Sequence, residues 1–110
     1  MKKNNRVRKN EEFQDLIHTG HKEHNVSFVL YARKRKETEA RIGISLSRKI
    51  GNAVQRNKIK RQVRMMCQDL IDFKACENDA ILIVRFGYKQ FSYAQNQNNL
   101  EKLLVKSKMI

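Results

Sequence analysis

The segment Arg48–Arg64, RKIGNAVQRNKIKRQVR, carries seven lysines or arginines and no carboxylate. Apolar residues recur within this segment and just beyond it, at Ile59, Val63, Met66 and Leu70. Their spacing of three or four residues places them on one face of a helix. The helix therefore has one apolar side and one side that is basic without counter-charges. The fold must bury the first side and leave the second for an anionic partner outside the chain.

Gly51 and Asn52 mark the start of this helix. Glycine permits a tight turn, and asparagine is a favoured cap because its side chain accepts from a free amide of the first helical turn. We expect the helix to reach about Ile71. Val54 is an apolar exception on its polar side. The other members of that side are a row of cations spaced by four residues and two neighbours: Arg56, Lys60 and Arg64, with Asn57 and Arg61 beside them.

The remaining hydrophobic patterns predict one small α/β domain, an α+β two-layer sandwich in which helices pack against a single mixed sheet. Two predicted strands alternate apolar and polar residues, and the third is almost wholly apolar, which indicates a central position. The elements, in order, are a helix over Glu11–His18 capped by Asn10, strands over Val26–Ala32 and Arg41–Ser47, the basic helix, a strand over Asp79–Phe86 and a helix from about Ser92.

The net charge of +13 on 110 residues favours nucleic acid as the partner, ahead of an anionic membrane. Residues 1–9 hold five basic residues and predict an arm that is mobile or ordered by RNA. No apolar run approaches the roughly 18 residues of a membrane span. The basic N-terminus has no apolar segment behind it, so we expect no signal peptide.

Cys67 and Cys76 form no CxxC pair and match no zinc spacing, so we expect free thiols in a reducing cytosol, with a disulfide as the alternative. Histidines recur every third residue at His18, His21 and His24, but no cysteine or carboxylate pattern completes a metal site, and a surface loop is expected there. No nucleophile has a visible activating partner. We therefore predict no catalytic residue and no metal site on the protein.

Arg41–Arg64, RIGISLSRKIGNAVQRNKIKRQVR, resembles the signature segment of the bacterial ribonuclease P protein subunit. The segments RVRKNEEFQDLIHTG and VSFVLYA resemble the family's opening helix and its strand with a cleft tyrosine, so the similarity covers most of residues 1–86. The family's Arg-Asn-Arg motif appears here as Arg56-Asn57-Lys58, followed in register by Lys60, Arg61 and Arg64.

The resemblance implies a cytoplasmic ribonucleoprotein that removes the 5′ leader from precursor transfer RNA. The RNA subunit would perform the chemistry and bind the required Mg²⁺, and the protein itself would bind no cofactor and no small-molecule substrate. Its partners would be the ribonuclease P RNA and the precursor. The implied fold is ribosomal protein S5 domain 2-like, with αβββαβα order, one more short strand before the basic helix and a left-handed crossover around it.

The resemblance also assigns two surfaces. The catalytic RNA would dock on the basic helix and its approach, through Arg48, Lys49, Asn52, Arg56, Asn57, Lys58, Lys60, Arg61 and Arg64. A cleft between sheet and helix would hold the single-stranded leader, lined by Phe13, Ile17, Tyr31, Ser45 and Ser47.

Individual positions in these surfaces differ in what they can do. The rings of Phe13 and Tyr31 can stack on unpaired bases without reading sequence. Burial preference alone makes Phe13 a core residue, whereas the resemblance implies a ring partly exposed at a cleft wall. Ile17 stands where relatives often place a second aromatic, so only apolar contact is expected there. Lys58 replaces an arginine. The lysine keeps the charge but lacks the planar guanidinium group that can bind two oxygen atoms at once.

Two other functions fit the composition. A non-enzymatic RNA-binding protein of another ribonucleoprotein, such as a ribosomal protein, would carry the same charge. A protein nuclease that acts unaided would mature the 5′ end without an RNA cofactor. Composition does not separate these from the family reading, which depends on the signature segment.

Overall fold

The chain folds in the order αβββαβα, as the resemblance implies. The structure is a computed structural model that describes residues 1–110. Its elements are α1 (Asn10–Thr19), β1 (His21–His24), β2 (Phe28–Lys34), β3 (Ile42–Leu46), α2 (Ala53–Leu70), β4 (Asn78–Val84) and α3 (Tyr93–Lys106).

One mixed sheet of four strands, in the order β1–β2–β4–β3, forms the centre of the fold. The apolar strand β4 is central, as predicted, and pairs antiparallel with β2 and parallel with β3. Phe28 lies opposite Val84, and Leu30 opposite Leu82. These four side chains are buried on one face of the sheet, because residues two apart on a strand point the same way.

Helices α2 and α3 cover that face. Ile59, Val63 and Met66 of the predicted stripe are buried there, and Leu70 is half-buried at its end. The predicted caps are present at both helix starts: Asn52 and Gln55 form a reciprocal capping box on α2, and Ser92 and Gln95 form one on α3. Leucines of α3 complete the core at Leu100, Leu103 and Leu104.

The β3–α2–β4 connection is left-handed. The Ala80 N–H donates to the Arg41 carbonyl just before β3, and the Ala80 side chain points to the face that carries α2. An L-residue seen from its side-chain side, with the chain running upward, directs its N–H to the right. Viewed from α2, β3 therefore lies to the right of β4, and the chain crosses from right to left. About 98% of such crossovers are right-handed.

Helix α1 covers part of the opposite face, so the helices are divided between both sides of the sheet. A smaller cluster of buried residues, Val7, Leu16 and Ile81, lies between them. Gly43 of β3 makes room for the ring of Phe13, because a Cβ built on Gly43 would lie 2.6 Å from Phe13 Cζ. The absence of a side chain at this position lets the helix approach the strand closely.

Two half-buried charges and one buried charge join the N-terminal half of α1 to the sheet. Arg41 Nη1 lies 2.7 Å from Glu12 Oε2, and its Nη2 lies 3.6 Å from Asp79 Oδ2. Asp79 is fully buried, and its Oδ1 accepts from the Arg41 backbone N–H at 2.9 Å. One guanidinium thus bridges a helical and a strand carboxylate. We call these three residues the arginine clamp.

The structure corrects several local predictions. Strand β1 lies in the region expected to be a surface loop, because antiparallel pairing with β2 orders an edge segment that has no apolar pattern. Asn10 is the first residue of α1, and Lys9 takes the cap position without a side-chain hydrogen bond. Strand β2 begins two residues later than predicted because Asn25 Oδ1 accepts from the N–H groups of Ser27 and Phe28.

The N-terminal nine residues also differ from the expected arm. Asn5 and Val7 are buried, and the Val7 N–H donates to the Ile42 carbonyl on the outer edge of β3. Asn5 Nδ2 donates to the Ala40 carbonyl at 3.0 Å. The buried residues Asn5 and Val7, which stand among charged residues, therefore hold this segment against the domain.

Replacing Asp79 tests the arginine clamp. Asp79→Ala leaves the Arg41 N–H without its acceptor and removes one of the two carboxylates beside a half-buried guanidinium, so we expect a decrease of about 1–3 kcal/mol in unfolding free energy. Asp79→Asn keeps an acceptor for the N–H and should destabilise the protein less. Urea denaturation measures both, with exposed Asp69→Asn as the control. Values for both Asp79 variants close to wild type would contradict the clamp.

A double-mutant cycle tests the contact between Gly43 and Phe13. Gly43→Ala should destabilise the protein by about 1–3 kcal/mol, because the added methyl overpacks the site against the ring. In a Phe13→Leu background the same change should cost less, since the ring no longer occupies the space and only Ile81 Cδ1, 2.7 Å from the added Cβ, still opposes the methyl group. Strictly additive effects on unfolding free energy would show that the two residues do not share this site.

Candidate nucleic-acid interface

The outer surface of α2 is a cationic strip without counter-ions. Lys58 and Arg61 are exposed there with Asn57, and they surround Val54, which is 77% exposed. None of the seven lysines and arginines in Arg48–Arg64 forms a salt bridge within the chain. The prediction that this segment lacks internal counter-ions is confirmed. Its cations are available to an external polyanion.

The predicted row of cations on α2 lies on the flank of the helix, between its buried and exposed sides. Arg56, Lys60 and Arg64 are half-buried. The Arg56 Nη1 group donates to the Gly51 carbonyl at 3.0 Å and so helps hold the helix start. Intermediate exposure is typical of long cationic side chains whose apolar stems pack along the protein surface.

The N-terminal segment extends this flank. Arg6 and Arg8 line a cavity of about 250 Å³ together with Arg64 and the apolar residues Val7 and Ile42. Arg6 and Arg8 are not among the site residues that the sequence predicts, because an arm without a fixed position gives no reason to pair them with α2. The docking of Val7 on β3 brings them beside Arg64.

The approach to α2 carries the other predicted contacts with nucleic acid. A 3₁₀ turn spans Arg48–Ile50, and both Arg48 and Lys49 are exposed on it. Ser47 Oγ accepts from the Lys49 N–H at 3.1 Å. Asn52 Oδ1 accepts from the Gln55 N–H at 2.9 Å, so this side chain caps the helix. The turn places two cations beside the start of the basic helix.

The predicted cleft residues gather on the face of the sheet that carries α1. The strand pairing aligns Tyr31, Ile81 and Gly43 in one row and Val29, Ile83 and Ser45 in the next. From α1, Phe13 and Ile17 pack against the same cluster as Tyr31 and Ile83. All four of these side chains are half-buried, so Phe13 is not a fully buried core residue.

Charges border this cleft on both sides of Tyr31. Lys22 Nζ lies 5.9 Å from the centre of the Tyr31 ring, within the range of a cation–π contact. Beyond the cleft, Arg33 Nη1 donates to Asp15 Oδ2 at 2.6 Å. Hydrogen bonding and charge from Arg33 hold the pKa of Asp15 below its ordinary value, so the carboxylate stays ionised and joins α1 to β2.

The two surfaces lie on opposite faces of the sheet and meet where β3 ends. The cleft row ends at Ser45, and exposed Ser47, Arg48 and Lys49 follow and lead to α2.

On the other side of α2, the Tyr88 hydroxyl donates to Gln62 Oε1 at 2.8 Å. Burial raises the pKa of Tyr88 to about 12, so this donor keeps its proton.

The remaining sequence predictions concern thiols, histidines and membranes. Cys67 and Cys76 are free and buried, as expected. Burial raises the pKa of Cys67 to about 12 and also raises that of Cys76. His18, His21 and His24 are exposed, and His21 lies 3.5 Å from Glu23 on β1. No helix has the length and apolar character required to cross a membrane.

Comparison with known proteins gives a consistent result. The family model described as Ribonuclease P matches residues 1–108. The ribonuclease P protein component of Mesoplasma florum is 44% identical over 107 residues, which cover 96% of this chain and 97% of the relative. That of Bacillus mycoides is 39% identical over 110 residues, with 99% and 96% coverage.

Solved structures agree in both fold and sequence. A mutant Staphylococcus aureus RNase P protein with defective mRNA degradation activity has a TM-score of 0.89 and 39% identity, covering 98% of this chain and 92% of that one. The RNase P protein of Thermotoga maritima has a TM-score of 0.76 and 28% identity, with 96% of each chain covered. Sequence and fold therefore agree: the chain belongs to the ribonuclease P protein family.

Proposed function

We propose that this protein is the subunit of ribonuclease P that docks on the catalytic RNA through α2 and holds the 5′ leader of precursor transfer RNA in the cleft. The observation that carries the proposal is the cationic strip on α2, which the core fixes in place and no carboxylate of the chain neutralises. A rigid positive surface of this kind is suited to the phosphate backbone of a folded RNA.

On the α2 side, binding is electrostatic. Each lysine or arginine that neutralises a phosphate releases counter-ions, which supplies affinity and makes it dependent on salt. Arg61 is exposed and can grip two phosphate oxygens through its planar guanidinium, whereas Lys58 acts as a point charge. Asn57 can donate to a phosphate or exchange hydrogen bonds with a 2′-hydroxyl. These contacts position the protein without reading a base sequence.

In the cleft, binding depends on stacking and close approach. The half-buried rings of Phe13 and Tyr31 stay fixed while part of each ring faces solvent, so unpaired bases can stack on them. The small side chains of Ser45 and Ser47 leave space for the backbone of the leader. Mature transfer RNA lacks a leader, so this surface favours the precursor.

In this proposal the reaction belongs to the RNA subunit, which binds the Mg²⁺ ions. The protein supplies fixed positive charge, and repulsion between phosphates then needs fewer ions for its neutralisation. The protein therefore stabilises the active form of the RNA at low magnesium and increases the affinity for precursor over mature transfer RNA.

Reconstitution at low magnesium tests the function. The protein, added to a bacterial ribonuclease P RNA, should increase cleavage of precursor transfer RNA at the 5′ end well above the rate with RNA alone. A ribosomal protein of similar charge serves as the control for non-specific neutralisation. Equal rates with and without the protein would contradict the proposal. Cleavage by a clean preparation without RNA would instead support a nuclease that acts unaided.

Arg61→Ala tests the docking surface. We expect weaker binding to the catalytic RNA, and a slope of log affinity against log salt that falls by about one for each phosphate that the side chain no longer neutralises. Lys102→Ala, which removes an exposed lysine from α3, is the matched control and should leave the slope unchanged. If Arg61→Ala also leaves it unchanged, Arg61 lies outside the interface.

Tyr31→Ala tests the cleft. Removal of the ring under one stacked base should weaken precursor binding by about 1–3 kcal/mol, while mature transfer RNA and assembly with the catalytic RNA change little. Tyr31→Phe keeps the ring and should retain most of the affinity. Equal weakening for precursor and mature substrates in a direct binding measurement would rule out a leader contact.

A further inference from the structure

The ring of Phe86 is exposed at the end of the sheet where strands β3 and β4 both terminate. The two strands are parallel, and their last aligned pair is Leu46 and Val84. The chain leaves β3 into Ser47–Lys49 and leaves β4 into Arg85 and Phe86. Because the two strands are parallel, the turn before α2 and the turn after β4 lie at the same end of the sheet.

Hydrogen bonds fix this second turn. A 3₁₀ turn spans Phe86–Gln90, and Lys89 Nζ donates to the Ile50 carbonyl at 2.8 Å, directly before α2. Arg85 Nη1 donates to the Asn25 carbonyl at 2.7 Å. The turn is thus tied both to the start of the basic helix and to the loop before β2.

Phe86 is available on this fixed turn. It is 58% exposed and belongs to neither hydrophobic core cluster. Lys89 Nζ lies 5.6 Å from the centre of its ring and covers one side. More than half of the residue therefore remains open to a flat partner, with a cation beside it.

The charge around the ring has one sign. Ala80–Leu100 contains no aspartate or glutamate, and Ala40–Gln68 contains none either. The pairing of β3 with β4 brings these two segments together. Arg85 and Lys89 therefore lie at the same end of the sheet as Arg48 and Lys49. An exposed ring among cations that lack counter-ions suits a base whose phosphates lie alongside it.

We propose that Phe86 is a stacking platform for an unpaired base of the precursor leader, beyond the cleft formed by Phe13 and Tyr31. This inference rests on the proposed function. The cleft face continues from the row of Ile81 through that of Ile83 to Arg85, a span of about 13 Å at the rise of a strand. A leader that leaves the cleft toward the strand ends thus reaches Arg85 and the turn Phe86–Gln90 that follows it.

The test is direct binding of precursor transfer RNAs to the reconstituted holoenzyme, with leaders shortened one nucleotide at a time. Phe86→Ala should weaken binding of the long-leader precursor by roughly 5- to 100-fold. Precursors whose leader is too short to pass Tyr31, and mature transfer RNA, should bind as to wild type. Phe86→Tyr should restore the long-leader affinity, because it retains the ring.

Two controls separate the possible failures. Val105→Ala removes an apolar side chain that is also 58% exposed, on α3, and should have no effect on any substrate. Unchanged binding by Phe86→Ala, or equal weakening for all leader lengths, overturns the inference; the second result would place the ring on the catalytic RNA. If Tyr31→Ala also shows no leader dependence in the same measurement, the proposed cleft fails as well.

Discussion

Burial of one side of α2 is the interaction on which the rest of the molecule depends. Ile59, Val63 and Met66 pack against the central strands, and this contact fixes which residues of the helix face solvent. The helix gathers like charges that repel one another, and the core offsets that repulsion. Because no carboxylate of the chain pairs with these cations, no internal ion pair has to be broken before an external polyanion binds.

The sheet relates the two surfaces to each other. Strand β4 contributes one face to the core under α2 and the other to the cleft beside α1. The crossover returns the chain parallel to β3, so that β3 and β4 end at the same end of the sheet, where the cleft row leads to the start of α2. The arginine clamp holds α1 against the sheet and thereby keeps Phe13 over Gly43.

Much of this architecture was predictable because it is encoded locally. The stripe on α2, its Asn52 cap and the apolar run of β4 each carry a periodic or positional signal. Strand β1 does not, since HKEH is ordered only by its partner. The course of residues 1–9 depends on Asn5 and Val7, two buried residues among cations. The division of helices between both faces and the hand of the crossover are properties of chain connection, which residue patterns do not contain.

The residues of the candidate surfaces also fall into two groups, those whose place could be predicted from the sequence and those whose place depends on the assembled fold. The exposure of Lys58 and Arg61 followed from helical spacing, and the resemblance brought Phe13 and Tyr31 to one cleft. The proximity of Arg6 and Arg8 to Arg64, and of Phe86 to the turn before α2, arises from contacts between segments distant in sequence. Such neighbours become visible only once the sheet is assembled.

Crosslinking from the exposed centre of α2 tests the proposed docking most directly. Val54→Cys places a thiol among the cations without removing a charge, and Val105→Cys places one on α3. The native thiols are buried with raised pKa values, so a photoreactive reagent should label the introduced cysteine selectively. In the reconstituted complex, we predict crosslinks to the catalytic RNA from position 54 and few from position 105. Equal yields, or a higher yield from position 105, would contradict docking through α2.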